Sequence, residues 1–278
     1  MEVEYIHRPA CECSCVVPVK FIDIKQSGNI LDLQESEPAL VTFAPGVTWK
    51  EIHAQSPGLE LIDPATADNQ HGIVVNAPGC TIRNHRSEHQ EVPLSWYGKA
   101  DRFKVVGARY SFCRTPICGV AAETRGANYV DIAGVVVEDM EPLGDTGVHI
   151  QNGSYCKYQI KGIRGSSLFT LYQTIENGVV MPCQYNTIWL DAEDINRVPG
   201  RPDARVFDFG GDGKIVDGEK HKGNKLYFTM KNCTSSLRFK SRKSNNPWYY
   251  KGTFDNCPNP IEFPGLYYRS DVHDLRPL

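Results

Sequence analysis

Short apolar strands recur along this chain, and the repeat constrains its fold more than any other feature. A first strand returns after about 21 to 31 residues, and a second strand follows it within most units. A unit of this length without an amphipathic helix cannot bury its apolar face alone, so it has to stack on its neighbours. The first strands are Ile73–Val75, Leu94–Tyr97, Gly119–Ala122, Gly147–Ile150, Gly178–Met181, Val206–Phe209, Leu237–Lys240 and Ile261–Phe263.

The second strands complete the pattern and predict an all-β solenoid. A β-sandwich is the alternative, but its strands usually return after about 8 to 12 residues in antiparallel pairs. Recurrence of a like strand after a whole unit favours stacking. The second strands are Phe103–Val106, Tyr129–Ile132, Tyr158–Ile160, Thr187–Leu190, Leu226–Met230 and Trp248–Tyr250.

The chain divides into three predicted parts: N-terminal strands with a capping helix (1–70), stacked coils (71–265) and a C-terminal tail (266–278). Thr48 and Glu51 have the spacing of a capping box, in which two side chains satisfy free backbone amides at a helix start. This spacing predicts a short helix that includes Trp49–Ala54. Such a helix would cover the apolar side chains and unpaired backbone groups at the open end of a solenoid.

The repeated strand pairs, such as Tyr129–Gly134 and Tyr158–Gly162, resemble those of the pectate-lyase-like superfamily over about residues 17 to 265. That superfamily includes pectate lyases, polygalacturonases and viral tailspikes. The resemblance implies a right-handed parallel β-helix, a single-stranded solenoid whose long ridged face accommodates an extended polysaccharide. It specifies architecture better than function, because one fold supports many activities.

Composition excludes several classes of partner. The formal net charge is −3, so no basic field indicates a nucleic-acid partner. No stretch approaches the roughly 18 apolar residues of a membrane span. The N-terminal Met1–Glu4 lacks the basic and apolar parts of a signal peptide, so the chain is either intracellular or numbered from a mature or virion-borne form. The sequence leaves the location open, with an extracellular or virion-borne form favoured.

Alternation along the first strands predicts an outward stripe of side chains across the coils. Its later coils are polar and place Asp208 beside Arg238, with Glu262 one coil beyond and His149 two coils before Asp208. Either a cross-strand ion ladder or a binding site explains this cluster. The stripe consists of Val74, Ser95, Ala121, His149, Val180, Asp208, Arg238 and Glu262, with Gln151 and Lys240 beside it.

Two fragments before the Asp208 strand resemble pectate lyase signatures. Ile188–Asp191 is similar to a Val-Trp-Ile-Asp-His segment, although Ala192 replaces the histidine, and Arg197–Arg201 is similar to an Arg-x-Pro-x-x-Arg segment, one residue short. The resemblance implies β-elimination, with Arg197 or Arg201 as the base. It also implies calcium held by oxygen ligands. These ligands are Asp191, Glu193 and Asp194.

Two functions follow as hypotheses. The first is an enzyme, expected to be monomeric, that binds and cleaves an acidic polysaccharide in a groove on the solenoid face. A lyase is favoured over a hydrolase because Arg238 would keep nearby carboxylates ionised, which disfavours a general acid. The second is a non-catalytic viral tail or surface module, expected to be a homotrimer. The catalytic candidates are Arg238, Asp208, His149, Arg197 and Arg201, and the substrate-binding candidates are Gln151, Lys240, Glu262 and Arg205.

Overall fold

The computed structural model describes residues 20–67, 70–120, 126–141, 146–172, 174–176, 179–210, 223–239 and 249–262. Its architecture is all-β. Within the described ranges, one sheet of 21 strands contains all the strands except a two-stranded hairpin, and its strands pair in parallel. Strands between the first and last coils pair with strands of both the preceding and following units, so the units stack along one axis. This arrangement is compatible with a parallel β-helix.

The first-series strands stack in chain order and form the face that carries the candidate site. Strands of a second series alternate with them along most of the chain. The first series comprises β2 (Gly28–Leu33), β4 (Trp49–Ala54), β7 (His71–Val75), β9 (Val92–Trp96), β11 (Ile117–Gly119), β13 (Val148–Gln151), β15 (Phe169–Tyr172), β19 (Arg205–Gly210), β21 (Ser236–Phe239) and β23 (Ile261–Glu262).

The second-series strands stack in the same way and are longer from β8 onward. A short strand, β6 (Ala65–Ala67), pairs with both β4 and β8. The second series comprises β1 (Lys20–Ile24), β3 (Ala39–Phe43), β5 (Glu60–Ile62), β8 (Thr81–Glu88), β10 (Lys104–Ser111), β12 (Asp131–Glu138), β14 (Lys157–Gly165), β18 (Thr187–Ile195), β20 (Lys225–Lys231) and β22 (Tyr249–Asp255).

The interior is filled by inward side chains that repeat at every second position of each strand. In the first series, one column of apolar residues runs from coil to coil in register. Burying a side chain of this kind contributes about 1.5 to 3 kcal/mol to stability, and every member of the column adds a contribution of this size. The column comprises Leu31, Ile52, Ile73, Leu94, Ile117, Val148, Phe169, Phe207 and Leu237, all buried.

Long second-series strands bend where the backbone enters the left-handed region. Asn84 in β8 and Gly107 in β10 have φ values of 55° and 65°, and Gly134 in β12 has 66°. Asparagine and glycine tolerate this conformation better than other residues. These three bends lie in register in successive coils, so β8, β10 and β12 turn a corner at the same place and each supplies two faces of its coil.

The predicted helix at Trp49–Ala54 is wrong, because these residues form strand β4. Ile52 and Ala54 are buried at alternate positions and pair with Ile73 and Val75 of β7. Pairing with the next coil satisfies the backbone amides that a helix would have satisfied internally. Within the described residues, no helix has the length and apolar character needed to span a membrane.

The predicted first strand at Gly178–Met181 is wrong. Val179–Val180 (β17) pairs antiparallel with Ile175–Glu176 (β16) in a separate two-stranded hairpin. The first-series strand of that coil is Phe169–Tyr172, which pairs with β13 and β19. Ile117–Gly119 also starts two residues earlier than predicted, so Cys118 occupies the outward position expected for Ala121. Ala121 itself lies outside the described residues.

Candidate functional site

The candidate site lies on the outward side of the first-series strands in the later coils. Strand pairing places His149, Thr170 and Asp208 next to one another, followed by Arg238 and Glu262. Neighbouring strands are about 4.8 Å apart. The predicted register is therefore confirmed for Asp208, Arg238 and Glu262, and His149 lies two coils before Asp208 as expected.

The turns that precede these strands and the outward side chains of the strands together form a cleft of about 620 Å³. Two of those turns contribute hydroxyl groups from Thr146 and Ser167, and the loop before β19 contributes charged side chains. The lining contains three arginines and two aspartates. It consists of Thr146, His149, Ser167, Thr170, Tyr172, Arg201, Asp203, Arg205, Asp208 and Arg238.

Asp208 and Arg238 form a two-pronged ion pair at the centre of the cleft. The Arg238 Nε donates to Asp208 Oδ1 at 2.8 Å, and the Arg238 Nη2 donates to Oδ2. Only 14% of the arginine side chain and 9% of the aspartate side chain are exposed. This hydrogen bonding raises the pKa of Arg238 despite its burial.

Arg205 is the buried cation of the cleft. Its Nη1 donates to the backbone carbonyls of Pro202 at 3.1 Å and Ala204 at 2.7 Å, which holds the guanidinium close to the loop. Its pKa is lowered to about 10, chiefly by burial and then by the charges of Arg238 and Arg197, while Asp208 and Asp203 act in the opposite direction. The lining of three arginines and two aspartates leaves the cleft electropositive around Arg205.

His149 and Tyr172 form the opposite wall. Their rings stack with centroids 5.3 Å apart and an interplanar angle of 27°. Gln151 lies beside them, with its Nε2 3.4 Å from His149 Nε2 and its backbone in register with Tyr172. An aromatic wall next to hydroxyl and guanidinium groups is suited to a ligand with apolar ring faces and polar edges.

The remaining predicted residues are placed as follows. Arg201 lines the cleft with its Nε 3.6 Å from Asp203 Oδ1. Arg197 lies at its edge, donating from Nη2 to Ser236 Oγ at 3.2 Å. The backbone of Glu262 pairs with Arg238, its side chain is not among those described, and Lys240 lies outside the described residues.

The predicted calcium ligands are not brought into the cleft. Asp191 and Glu193 lie on the outward side of β18, where Asp191 is 3.6 Å from Lys161 and Glu193 is 3.0 Å from Lys231. The bond to Lys231 lowers the pKa of Glu193. Across the described ranges, no group of three or more His, Cys, Asp or Glu side chains is arranged to hold a metal ion.

Sequence reasoning missed Thr170, Tyr172 and the hydroxyls of Thr146 and Ser167. Alternation of apolar and polar residues in Phe169–Tyr172 was the available signal for the first two, because Phe169 and Leu171 are buried and Thr170 and Tyr172 are not. The apolar run near Val180 was instead interpreted as the first strand of this coil, so the alternation in Phe169–Tyr172 was not recognised. Thr146 and Ser167 lie in turns, where no alternation of apolar and polar residues indicates which side chains face a cleft. Only the folded structure places them there.

No protein-family model matches the chain, and no curated protein matches its sequence. The residues of the cleft are therefore the basis for a function.

Proposed function

We propose that the protein is a right-handed parallel β-helix of the pectate-lyase-like kind, and that it binds an acidic polysaccharide in the cleft and cleaves it by β-elimination. The electropositive surroundings of Arg205 carry this proposal. Burial and the charges of Arg238 and Arg197 destabilise the charged form of this arginine. An anionic group bound there relieves that repulsion, and guanidinium groups match carboxylates in geometry.

The chemistry of a uronate fits the rest of the cleft. In β-elimination a base takes the proton α to the carboxylate, a carbon–carbon double bond forms, and the carbon–oxygen bond to the departing sugar breaks. The electron pair of that bond goes to the departing oxygen, which takes up a proton from solvent. Arg205 and Arg238 line the cleft and would neutralise the carboxylate, which makes that proton more acidic. Arg201 also lines the cleft and is the arginine proposed as the base.

Hydrolysis receives less support. A glycosidase needs one protonated carboxyl group and a second carboxylate at a fixed distance. Both oxygens of Asp208 accept hydrogen bonds from Arg238, so the carboxyl group is engaged in that pair rather than directed at a leaving group. The same ion pair favours the second candidate function, a non-catalytic receptor-binding module, because a carboxylate held in this way orients a ligand without transferring a proton.

A panel of uronate polysaccharides tests the proposal in two stages. Binding is measured by calorimetry with a trisaccharide of each polymer, and cleavage by the ultraviolet absorbance of the unsaturated product. We expect Arg201→Gln and Arg205→Gln to weaken trisaccharide binding by about 10- to 100-fold, the value of a charge-assisted hydrogen bond. Arg114→Gln is the matched control, since Arg114 pairs with Glu91 away from the cleft.

The outcomes separate the two candidate functions. Binding that depends on Arg205 together with unsaturated product supports the lyase. Binding that depends on Arg205 without product, in a particle that light scattering shows to be a trimer, supports the receptor-binding module. If no uronate binds, or if Arg114→Gln has the same effect as Arg205→Gln, the cleft proposal fails.

Calcium stays a prediction for Asp191, Glu193 and Asp194. If these residues bind it, calcium has to displace Lys161 and Lys231 from their ion pairs, and it then raises the unfolding temperature. Comparing thermal unfolding in calcium and in EDTA, for the wild type and for an Asp191→Asn, Glu193→Gln double variant, tests this. A calcium effect that survives in the variant contradicts the assignment.

A further inference from the structure

A second outward face, on the other strand series, carries aromatic and basic side chains. It lies at the beginning of β14, β18, β20 and β22, where two outward columns run in register across four coils. Three of its side chains are lysines, three are aromatic and none is acidic. This aromatic–basic face comprises Lys157, Gln159, Thr187, Trp189, Lys225, Tyr227, Tyr249 and Lys251.

A row of tyrosines borders this face at the turns that lead into β12, β14 and β18. Tyr129, Tyr155 and Tyr185 all have positive φ values near 60° and stack with ring centroids 5.3 and 5.1 Å apart, at interplanar angles of 12° and 15°. Rings in van der Waals contact lie only about 3.5 to 4 Å apart. The rings are therefore offset, and part of each ring face stays exposed.

The exposure of these rings is unusual for aromatic side chains. Tyr155 is 49% exposed, Trp189 40% and Tyr249 44%. Stacking of Trp189 on Tyr227, with centroids 5.8 Å apart, holds the indole in a fixed orientation. Rigid exposed aromatics mark binding surfaces, because they offer a large contact area at little cost in side-chain entropy.

We propose that the aromatic–basic face is an accessory binding site for the acidic polysaccharide of the proposed function, on which this inference rests. Charge complementarity identifies the occupant: Lys157, Lys225 and Lys251 are exposed and stand among aromatic rings with no carboxylate at the eight positions. The face begins at β14, because one coil earlier the same column carries Asp131. Sugar rings present C–H faces to aromatic rings and hydroxyls to lysine and tyrosine.

The tyrosine spacing favours a polysaccharide over a single-stranded nucleic acid. A base that stacks between two aromatic rings needs them about 7 Å apart, twice the van der Waals contact distance. Tyr129, Tyr155 and Tyr185 already contact one another and leave no such gap.

The face and the cleft lie on different strand series, joined by the turns that hold Tyr155 and Tyr185. A short oligosaccharide can occupy only one of the two sites. A long polymer can occupy both, and the second contact then gains from the high effective concentration that the first creates. The accessory face is therefore expected to strengthen binding of long chains and to leave short ones unaffected.

Charge reversal on the face tests this. In Lys157→Glu, Lys225→Glu we expect the Kd for the uronate polymer to rise about tenfold or more. The Kd for its trisaccharide stays unchanged. Lys25→Glu, Lys50→Glu is the matched control, because both lysines are exposed in the first coils and the net charge changes equally. Lys157→Gln, Lys225→Gln repeats the test without adding negative charge.

The possible results are distinct. If the face variants and the control variant weaken polymer binding equally, the accessory site is overturned. Weaker trisaccharide binding in both face variants also overturns it. So does a loss of single-stranded DNA binding in the face variants with no change for the polymer. If the polymer binds through Lys157 and Lys225 while the trisaccharide does not bind wild type, the accessory face stands and the cleft proposal fails.

Discussion

The guanidinium of Arg238 donates to both carboxylate oxygens of Asp208, one coil away on the same outward face. Because both side chains are largely buried, removing either partner leaves an uncompensated charge. We expect Arg238→Ala to lower the free energy of unfolding by about 3 kcal/mol. A double-mutant cycle with Asp208→Ala, measured by urea unfolding, should show positive coupling between the two residues.

The Arg164–Asp139 pair is the control for that cycle. It has the same two-pronged geometry, with Nε to Oδ1 at 2.6 Å and Nη2 to Oδ2 at 2.7 Å, but 55% of the arginine side chain is exposed. Solvent screens an exposed pair. Its coupling should be smaller, and equal coupling in the two cycles would contradict the role of burial.

His85 should make the protein less stable in mild acid. It is fully buried, with Nε2 2.9 Å from Thr66 Oγ1 and Nδ1 3.0 Å from Tyr110 Oη, and burial lowers its pKa to about 3. Between that pKa and the unfolded value near 6.5, only the unfolded chain takes up the proton, so stability falls as the pH falls. We expect a loss of about 2 kcal/mol between roughly pH 7 and pH 5.

Comparison with His85→Gln isolates this contribution. Glutamine cannot take up the proton, so the variant should be less stable than wild type at neutral pH yet lose less stability on acidification. Urea unfolding at both pH values measures the difference. Parallel pH dependence in the two proteins would show that His85 is not the group responsible.

His53 should have the opposite pH dependence. Burial by itself lowers its pKa, but hydrogen bonds and charges from Glu51 Oε1 at 2.6 Å and Asp32 Oδ1 at 2.7 Å outweigh burial and raise it. The raised pKa means that the stabilisation is complete below the unfolded pKa and is lost as pH rises through the folded pKa. His53→Gln should therefore cost more stability at about pH 6 than at about pH 8.5, by thermal unfolding. An equal loss of stability from His53→Gln at the two pH values would contradict a stabilising role for the ion pairs with Glu51 and Asp32.

Gly119 should be intolerant of any side chain. It lies in β11 next to Trp96 of β9, and a Cβ built there would be 2.6 Å from the indole ring. Trp96 is 2% exposed and cannot move without disturbing the core. We expect Gly119→Ala to destabilise the protein by about 1 to 3 kcal/mol. Cys118→Ala, one residue earlier and facing outward, is the control for urea unfolding and should be close to neutral.

The order of residues along the outward stripe was predictable from sequence. Alternation fixes which side chains face outward, and stacking fixes which coils are neighbours, so these two periods suffice to align Asp208, Arg238 and Glu262. The same rule failed at Val180. An apolar run of valines fits a local hairpin as well as a coil strand, and only pairing with β13 and β19 selects Phe169–Tyr172.

Local signals also failed at Thr48 and Glu51. Their spacing is that of a helix start, but the alternate burial of Ile52 and Ala54 shows the period of a strand. A capping box stabilises a helix by satisfying a few amides, whereas pairing with β2 and β7 satisfies the backbone of β4 from both sides. The tertiary interaction outweighs the local one.

By itself, the sequence determined an all-β chain of stacked units and a polar stripe in its later coils, because both follow from periods of two residues and of one coil. Only the tertiary structure decided which loops close over that stripe. Arg201 and Arg205 meet Asp208 across a turn, while Asp191 and Glu193, nearby in sequence, lie on another strand series and pair with lysines. Residues close in sequence therefore lie on different faces of the solenoid, because the chain passes from one strand series to the other between them.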